Sequence, residues 1–230
     1  MSALFVAGAG TEIGKTYVTA ALTRALRAAG RPVVALKPVA SGVPPLADPD
    51  FALSDTAQLL AAQDLPVRPE TVSATTPWLF AAPLAPDLAA AREGRSLALA
   101  DLVAWCREAI ARAPAGTAVL VEGVGGLMSP LTAEATGLAW LTALGLPALL
   151  VSGSYLGAIS HALTAIETLR RHGVALVSVV VSETPGAPTP PETVAEAIAR
   201  HAGVRVLCVP RGGAFPAEGL DVVPLDVVPG

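Results

Sequence analysis

The segment Gly8-Ala-Gly-Thr-Glu-Ile-Gly-Lys-Thr16 constrains this chain more than any other. An aliphatic run, Ala3–Ala7, leads into it, and an amphipathic stretch, Lys15–Ala29, leaves it. A glycine-rich turn between a buried strand and a helix leaves backbone N–H groups pointing at one spot, in line with the positive end of the helix dipole. The strict spacing Gly-x4-Gly-Lys-Thr would put glycine at Ala9; here Gly8 opens the turn one residue earlier and Gly10 adds a second flexible position. That context predicts phosphate binding. N–H groups from Glu12, Ile13, Gly14, Lys15, Thr16 and Tyr17 are expected around a β-phosphate. Lys15 would bridge the β- and γ-phosphates, and the Thr16 hydroxyl would ligate magnesium.

The rest of the chain agrees with an α/β fold. Short aliphatic runs (Ala3–Ala7, Pro32–Leu36, Thr117–Val121, Pro147–Ser152, Ala175–Ser182, Val204–Val209) alternate with helix patterns (Lys15–Ala29, Asp55–Ala62, Ala98–Arg112, Thr136–Leu144, Leu156–His172, Pro191–His201). With 53% hydrophobic but only 4% aromatic residues, the core must be mainly aliphatic, as in a parallel sheet covered on both faces. The expected class is therefore a P-loop NTPase-like, mostly parallel sheet with helices on both faces, in one domain over 1–230. Asp221–Pro224 is expected to add a last short strand. Ser41–Leu53 reads as a long loop, and Pro66–Pro86 as an irregular excursion over the sheet ends.

Bulk properties narrow the partners. A net charge of −4 argues against nucleic acid, which calls for a basic face. Leu138–Val151 is split by Gly145 and Pro147 and is too short for a membrane span. No basic stretch precedes the first strand run, so no signal peptide is expected. Cys106 and Cys208 read as buried fillers, not a disulfide framework. The expectation is a cytoplasmic protein with small-molecule partners.

Lysine is scarce, two residues among 15 Lys and Arg, and Lys15 and Lys37 both stand where a strand hands over to a loop. Lys37 would point into the same crevice as Lys15, a compact point charge suited to an anionic acceptor. The strand Thr117–Val121 delivers Glu122 at its carboxyl end, where open α/β sheets bind ligands, and Gly123, Val124, Gly125 and Gly126 follow. A carboxylate buried there calls for a metal or a lysine nearby. Asp55 stands at a helix start, and local pattern alone reads it as an ordinary cap.

Together, Gly8–Thr16, Lys37-Pro-Val-Ala-Ser-Gly42, Ser54-Asp55, Pro77-x-x-Phe80-x-x-Pro83-x-x-Pro86, Glu93-Gly94-Arg95, Val121-Glu-Gly-Val-Gly-Gly126 and Leu156-Gly157 resemble the dethiobiotin synthetase family over most of the chain. The resemblance implies an ATP- and magnesium-dependent ring-forming ligase of biotin biosynthesis. One amine of 7,8-diaminopelargonate captures CO2, the carbamate attacks the γ-phosphate, and the second amine closes the ring as phosphate leaves. It implies catalytic roles for Lys37, Lys15 and Thr11, and turns Asp55 from cap to metal ligand beside Thr16 and Glu122. Ser41, Leu156 and Gly157 would bind the substrate, with Gly123, Val124 and Gly125 on the nucleotide. Ser182, Glu183, Pro210, Arg211 and Gly212 fall where the family contacts the base. A homodimer is implied as well.

Several positions depart from the family pattern. Gly10 replaces a frequent Asp, Asp87 a His, Ser160 an Asn, and Ser182-Glu183 the adenine-reading Asn-Asp. The last of these leaves room for other nucleoside triphosphates. His161 is expected to pack or hydrogen-bond rather than act as a base. Rival readings fare less well. A partition-type NTPase switch would carry an extra lysine near the start of the loop, and a GTPase switch an Asn-Lys-x-Asp base reader; both lysines are already placed. An amidating relative acting on cobyrinic acid would need a glutaminase domain that these 230 residues are not expected to hold. A nucleotide-binding paralogue without catalysis would have no need of Lys15, Lys37, Asp55 and Glu122 together.

Overall fold

A computed structural model describes residues 2–223. Six parallel strands form the main sheet in the order β2-β5-β1-β6-β7-β8: β1 (Ser2–Gly8), β2 (Val33–Leu36), β5 (Ala118–Glu122), β6 (Ala148–Ser152), β7 (Leu176–Ser182) and β8 (Val206–Val209). The chain reverses its winding direction at β1, between β5 and β6, which opens a crevice at the carboxyl end of β1.

Alternation along β1 explains the two layers. Leu4 and Val6 face one core with α1 (Lys15–Ala28) and α2 (Asp55–Ala62), through Leu22, Leu26 and Leu59. Phe5 and Ala7 face the other, with α5 (Leu99–Arg112), α6 (Gly137–Leu144), α7 (Ala158–Arg171) and α8 (Pro191–Ala202). There the Phe5 and Trp140 rings meet edge to face at 4.9 Å. Each fully buried aliphatic or aromatic side chain contributes roughly 1.5–3 kcal/mol. The expected helices on both faces are present. Gly145 and Gly203 close α6 and α8 in the left-handed conformation expected of a helix end.

Three expectations need correction. Pro66–Pro86 is not irregular: it holds α3 (Pro69–Thr75), β4 (Trp78–Phe80) and the start of α4 (Pro86–Arg92). Proline opens both helices, where its missing N–H costs nothing. Ser41–Leu53 begins in β3 (Val39–Ser41), which pairs with β4 in a second, two-stranded parallel sheet, and it ends in a 3-10 turn, Pro49–Leu53. Of the expected strand Asp221–Pro224, the described residues 221–223 form no strand. Asp221 and Val222 end a 3-10 turn, Ala217–Val222, and Pro224 lies outside the described residues. Element length explains all three, since three-residue strands, helices of two turns and single 3-10 turns leave little hydrophobic period to read.

Edge strand β2 is covered by a side chain. The Gln63 amide accepts from the Ala35 N–H and donates to the Ala35 carbonyl, imitating a further strand. This holds the strand that delivers Lys37.

Candidate active site

The carboxyl ends of the strands form one line of functional groups. At the β2–β5 end, Lys37 follows β2 and Glu122 ends β5, and both are buried. Lys37 Nζ lies 2.6 Å from Glu122 Oε1, 2.9 Å from Asp55 Oδ2 and 3.0 Å from the Gly123 carbonyl. The Thr16 hydroxyl donates to the same Glu122 Oε1 at 2.6 Å. Burial works against the Lys37 charge, but the Glu122 and Asp55 carboxylates outweigh it and raise its pKa above the ordinary lysine value. For Asp55, burial pushes upward, yet the Lys37 ammonium, by its charge and its hydrogen bond, holds the carboxyl below its ordinary value.

Asp55 also resolves the ambiguity at the helix start. The cap is Ser54, whose Oγ accepts from the Ala57 N–H at 3.2 Å. Asp55 is left as the first helical residue, with its carboxylate turned to Lys37. A hydrogen bond between Thr56 and Thr76 hydroxyls at 2.8 Å pins this helix start against the segment before β4.

The phosphate loop spans the crevice beside that cluster. Lys15 folds back over it, and its ammonium donates to the Gly10 carbonyl at 2.9 Å. Burial, and then the nearby Lys37, push the Lys15 pKa down to about 8. Glu12 and Gly14 take positive φ (56° and 89°), which turns successive N–H groups toward one side of the loop. At Gly14 a Cβ would collide with Ser182, so the loop sits directly against the end of β7. Ile13 is buried in the α1 core and anchors the turn.

The β7–β8 end is built differently. The Tyr17 hydroxyl is 2.9 Å from the Pro210 carbonyl and 3.1 Å from that of Gly213. The Arg211 N–H donates to Glu183 Oε2 at 2.7 Å, and the Arg211 guanidinium lies over the Tyr17 ring at 5.2 Å. Ser182, Glu183, Pro210, Arg211 and Gly212 thus do come together, with Tyr17, around the start of α1. Gly213 also takes part, one residue beyond the Pro210–Gly212 segment that the sequence marks.

Other expected residues stand apart. Thr11 is exposed beside Gly125, its Oγ1 3.6 Å from where a Gly125 Cβ would stand. Val124 lies in the turn after Glu122, half-buried. That turn is fastened by Ser129, a residue the motif did not include, whose hydroxyl accepts from the Gly126 N–H at 2.8 Å. Ser41 ends β3 and is half-buried. Leu156 and Gly157 precede α7, and Leu156 is 88% exposed.

Comparison with known proteins bears on this geometry. A family model described as an AAA domain matches residues 2–211. The ATP-dependent dethiobiotin synthetase BioD of Methylobacterium nodulans is 87% identical over 224 residues, covering 97% of this chain and 100% of that protein. The chain belongs to the dethiobiotin synthetase family. The protein of the same name from Caulobacter vibrioides is 47% identical over 220 residues, covering 96% of this chain and 97% of its own. Solved structures share the fold at low identity. A ParA family ATPase from Chlorobium tepidum TLS matches at a TM-score of 0.52 and 14% identity, over 91% of this chain and 84% of its own. The MinC:MinD complex of Aquifex aeolicus gives 0.52 and 13%, over 96% of this chain and 84% of the matched one.

The acidic end also offers oxygen donors that a divalent cation would fit. Glu122 Oε2 is buried and has no hydrogen-bond partner among the described residues. A buried carboxylate oxygen left bare in this way is costly unless a cation meets it. Two carboxylates and the Thr16 hydroxyl form an all-oxygen donor set, suited to magnesium bound partly through phosphate. No described helix is long and apolar enough to cross a membrane.

Proposed function

We propose that this chain, as one α/β domain, is an ATP-dependent dethiobiotin synthetase. It would join 7,8-diaminopelargonate and CO2 into the ureido ring of dethiobiotin, through a carbamate and a carbamic–phosphoric anhydride, with release of ADP and phosphate. The observation that carries the reading is the meeting of Lys37 and Thr16 on one oxygen of Glu122, with Asp55 beside it. A phosphate-loop switch has little use for a second buried lysine facing the metal carboxylates; a transfer to an anionic acceptor does.

In this reading each residue acts by position and charge. The N–H groups from Glu12 to Tyr17 cradle the β-phosphate, and Lys15 turns from the Gly10 carbonyl to the phosphate oxygens. Lys37, kept fully protonated by its two carboxylates, stabilises the carbamate and the charge that accumulates as the phosphoryl group moves. Thr16, Asp55 and Glu122 would hold magnesium, which would supply positive charge to the phosphates. Thr11 and Ser41 hydrogen-bond the carbamate or the diamine, and Gly123, Val124 and Gly125 let the backbone approach the nucleotide. Ser182, Glu183, Pro210, Arg211 and Gly212 border the base. Leu156 and Gly157, at the start of α7, supply donors for the substrate carboxylate near a subunit interface, and the strong exposure of Leu156 suits a homodimer. The setting is cytoplasmic.

The test is product formation. Purified protein with 7,8-diaminopelargonate, bicarbonate, magnesium and ATP should yield dethiobiotin by mass spectrometry, dependent on every component. ATP hydrolysis without dethiobiotin, in folded protein, would overturn the reading in favour of an NTPase switch. GTP and CTP as alternative donors measure how tightly the open base end selects.

A further inference from the structure

At the carboxyl end of β6 the chain turns through Gly153–Gly157 into α7, and this turn is held rigidly. The Ser154 N–H donates to Thr184 Oγ1, and the Thr184 N–H donates to Ser154 Oγ, both at 3.0 Å. A Cβ on Gly153 would stand 2.7 Å from Thr184 Oγ1 and 2.8 Å from the Tyr155 ring, so only glycine lets the ring lie back over the turn. Tyr155 packs against both hydrophobic layers, and its hydroxyl lies 2.7 Å from His161 Nδ1 in the first turns of α7. His161 therefore hydrogen-bonds, as its sequence context suggested.

The ring is aimed at the phosphate loop. The Tyr155 hydroxyl lies 3.6 Å from where a Cβ on Gly10 would stand. On its other flank Gly10 meets Gly126, whose Cβ would come 3.3 Å from the Gly10 Cα. Gly10 and Thr11 thus run between Tyr155 and the Gly125–Gly126 turn. An open groove of about 510 Å³ begins at Tyr155 and runs along Leu156, Gly157, Ile159, Leu163 and Val194. Packing accounts for the aromatic ring, which phenylalanine would supply as well, but not for a hydroxyl fixed by a histidine at the edge of the loop. Burial raises the Tyr155 pKa, so the group is a neutral phenol at physiological pH.

We propose that Tyr155 is a substrate-binding residue for the nitrogen-bearing end of the acceptor at Gly10–Thr11, and that His161 positions it. With Nδ1 bare, the hydroxyl donates to His161 and its oxygen presents a lone pair to an amine N–H of the acceptor. The inference rests on the dethiobiotin synthetase reading and adds a contact on the β6 side of the loop, opposite Lys37.

Steady-state kinetics of the full chain test it, varying diaminopelargonate at saturating ATP and then the reverse. Tyr155→Phe should raise KM for diaminopelargonate about tenfold, the effect of one hydrogen bond, while KM for ATP stays within about twofold. The melting temperature should not move, since the ring remains. His161→Leu should give a similar rise, His161→Asn should restore most of the affinity, and the double variant Tyr155→Phe/His161→Leu should be no worse than Tyr155→Phe. An unchanged acceptor KM in Tyr155→Phe, a parallel rise in KM for ATP, or a lowered melting temperature overturns the inference. If the wild type forms no product, the inference falls with the reading beneath it; if the wild type is active and Tyr155→Phe matches it, the inference alone falls.

Discussion

The two ends of the sheet edge solve their tasks in opposite ways. At the β2–β5 end, Lys37 and Glu122 are buried, Asp55 reaches in from α2, and the Lys37 ammonium pairs with both carboxylates. At the β7–β8 end, Arg211 and Gly212 are exposed, and the loop is tied to the scaffold largely through main-chain groups. The difference lies in solvent. Out of water an unpaired charge is costly, so the acidic end tolerates few residue types. In water, a loop held by its carbonyls and N–H groups keeps its shape while its side chains vary. Of the departures from the family pattern, Glu183 is half-buried beside the open end and Ser182 is buried at the end of β7, while Lys37, Asp55 and Glu122 match the pattern at the charged end.

The comparison breaks most easily at Lys37. Lys37→Ala should lower turnover by about a thousandfold or more, because it removes positioned charge from the transferring group. It should also destabilise the fold by about 3–5 kcal/mol, since the fully buried Glu122 carboxylate then loses the ammonium bonded to it. Denaturant titration beside single-turnover kinetics checks both, and a stable, active variant would mean that this end is not a coupled unit. Glu122→Gln comes next, with about a hundredfold loss of turnover and weakened Mn2+ affinity in the presence of ATP, read by electron paramagnetic resonance.

A third prediction uses pH. Lys15 has a folded pKa of about 8 against an ordinary 10.5, so above pH 8 the free protein loses that charge first. ATP affinity should weaken by up to about tenfold per pH unit above 8, measured by calorimetry, and a Lys15→Arg variant should lose this slope. Stability moves the other way. Between pH 8 and 10.5 the unfolded chain holds more protons at this residue, so its contribution to folding grows as pH rises. Lys37, raised above 10.5, gives no opposing change in that window, and its stabilisation fades only at higher pH. Asp55 acts at the acid side: its contribution is present above 3.8 and drains as pH falls through its lower folded value.

The smallest effects belong to the open end. Arg211→Ala removes a guanidinium over an exposed ring and should raise KM for ATP about twofold to fivefold, with kcat unchanged. Glu183→Gln keeps an acceptor for the Arg211 N–H and should do less. A large loss of kcat from either change would erase the contrast between the two ends.

Legibility in the sequence follows the same lines. The six main strands announce themselves as aliphatic runs bounded by turn residues, and the phosphate loop by its glycines and Gly14-Lys15-Thr16. β3 and β4 do not, since three residues carry no period and their pairing, Val39 with Trp78, joins distant segments. Asp55 could not be told from a cap, because a carboxylate at a helix start looks the same whether it bonds its own backbone or a lysine. Nor does the sequence mark Tyr155, whose neighbours His161 and Gly10 lie on different elements.

By itself the sequence determined the local pieces: the turn that cradles an anion, the strands that must be buried, and the scarcity that makes two lysines conspicuous. The tertiary structure alone decided which charges meet. Thr16 and Glu122 are 106 residues apart, and Lys37 and Glu122 are 85 apart. They converge because β1 and β5 pair in parallel with Val6 opposite Glu122, and β2 and β5 with Leu36 opposite Val121. A shift of one residue in either register would turn the side chains to the other face of the sheet and separate them. Local propensity does not encode register; the burial of both sheet faces does.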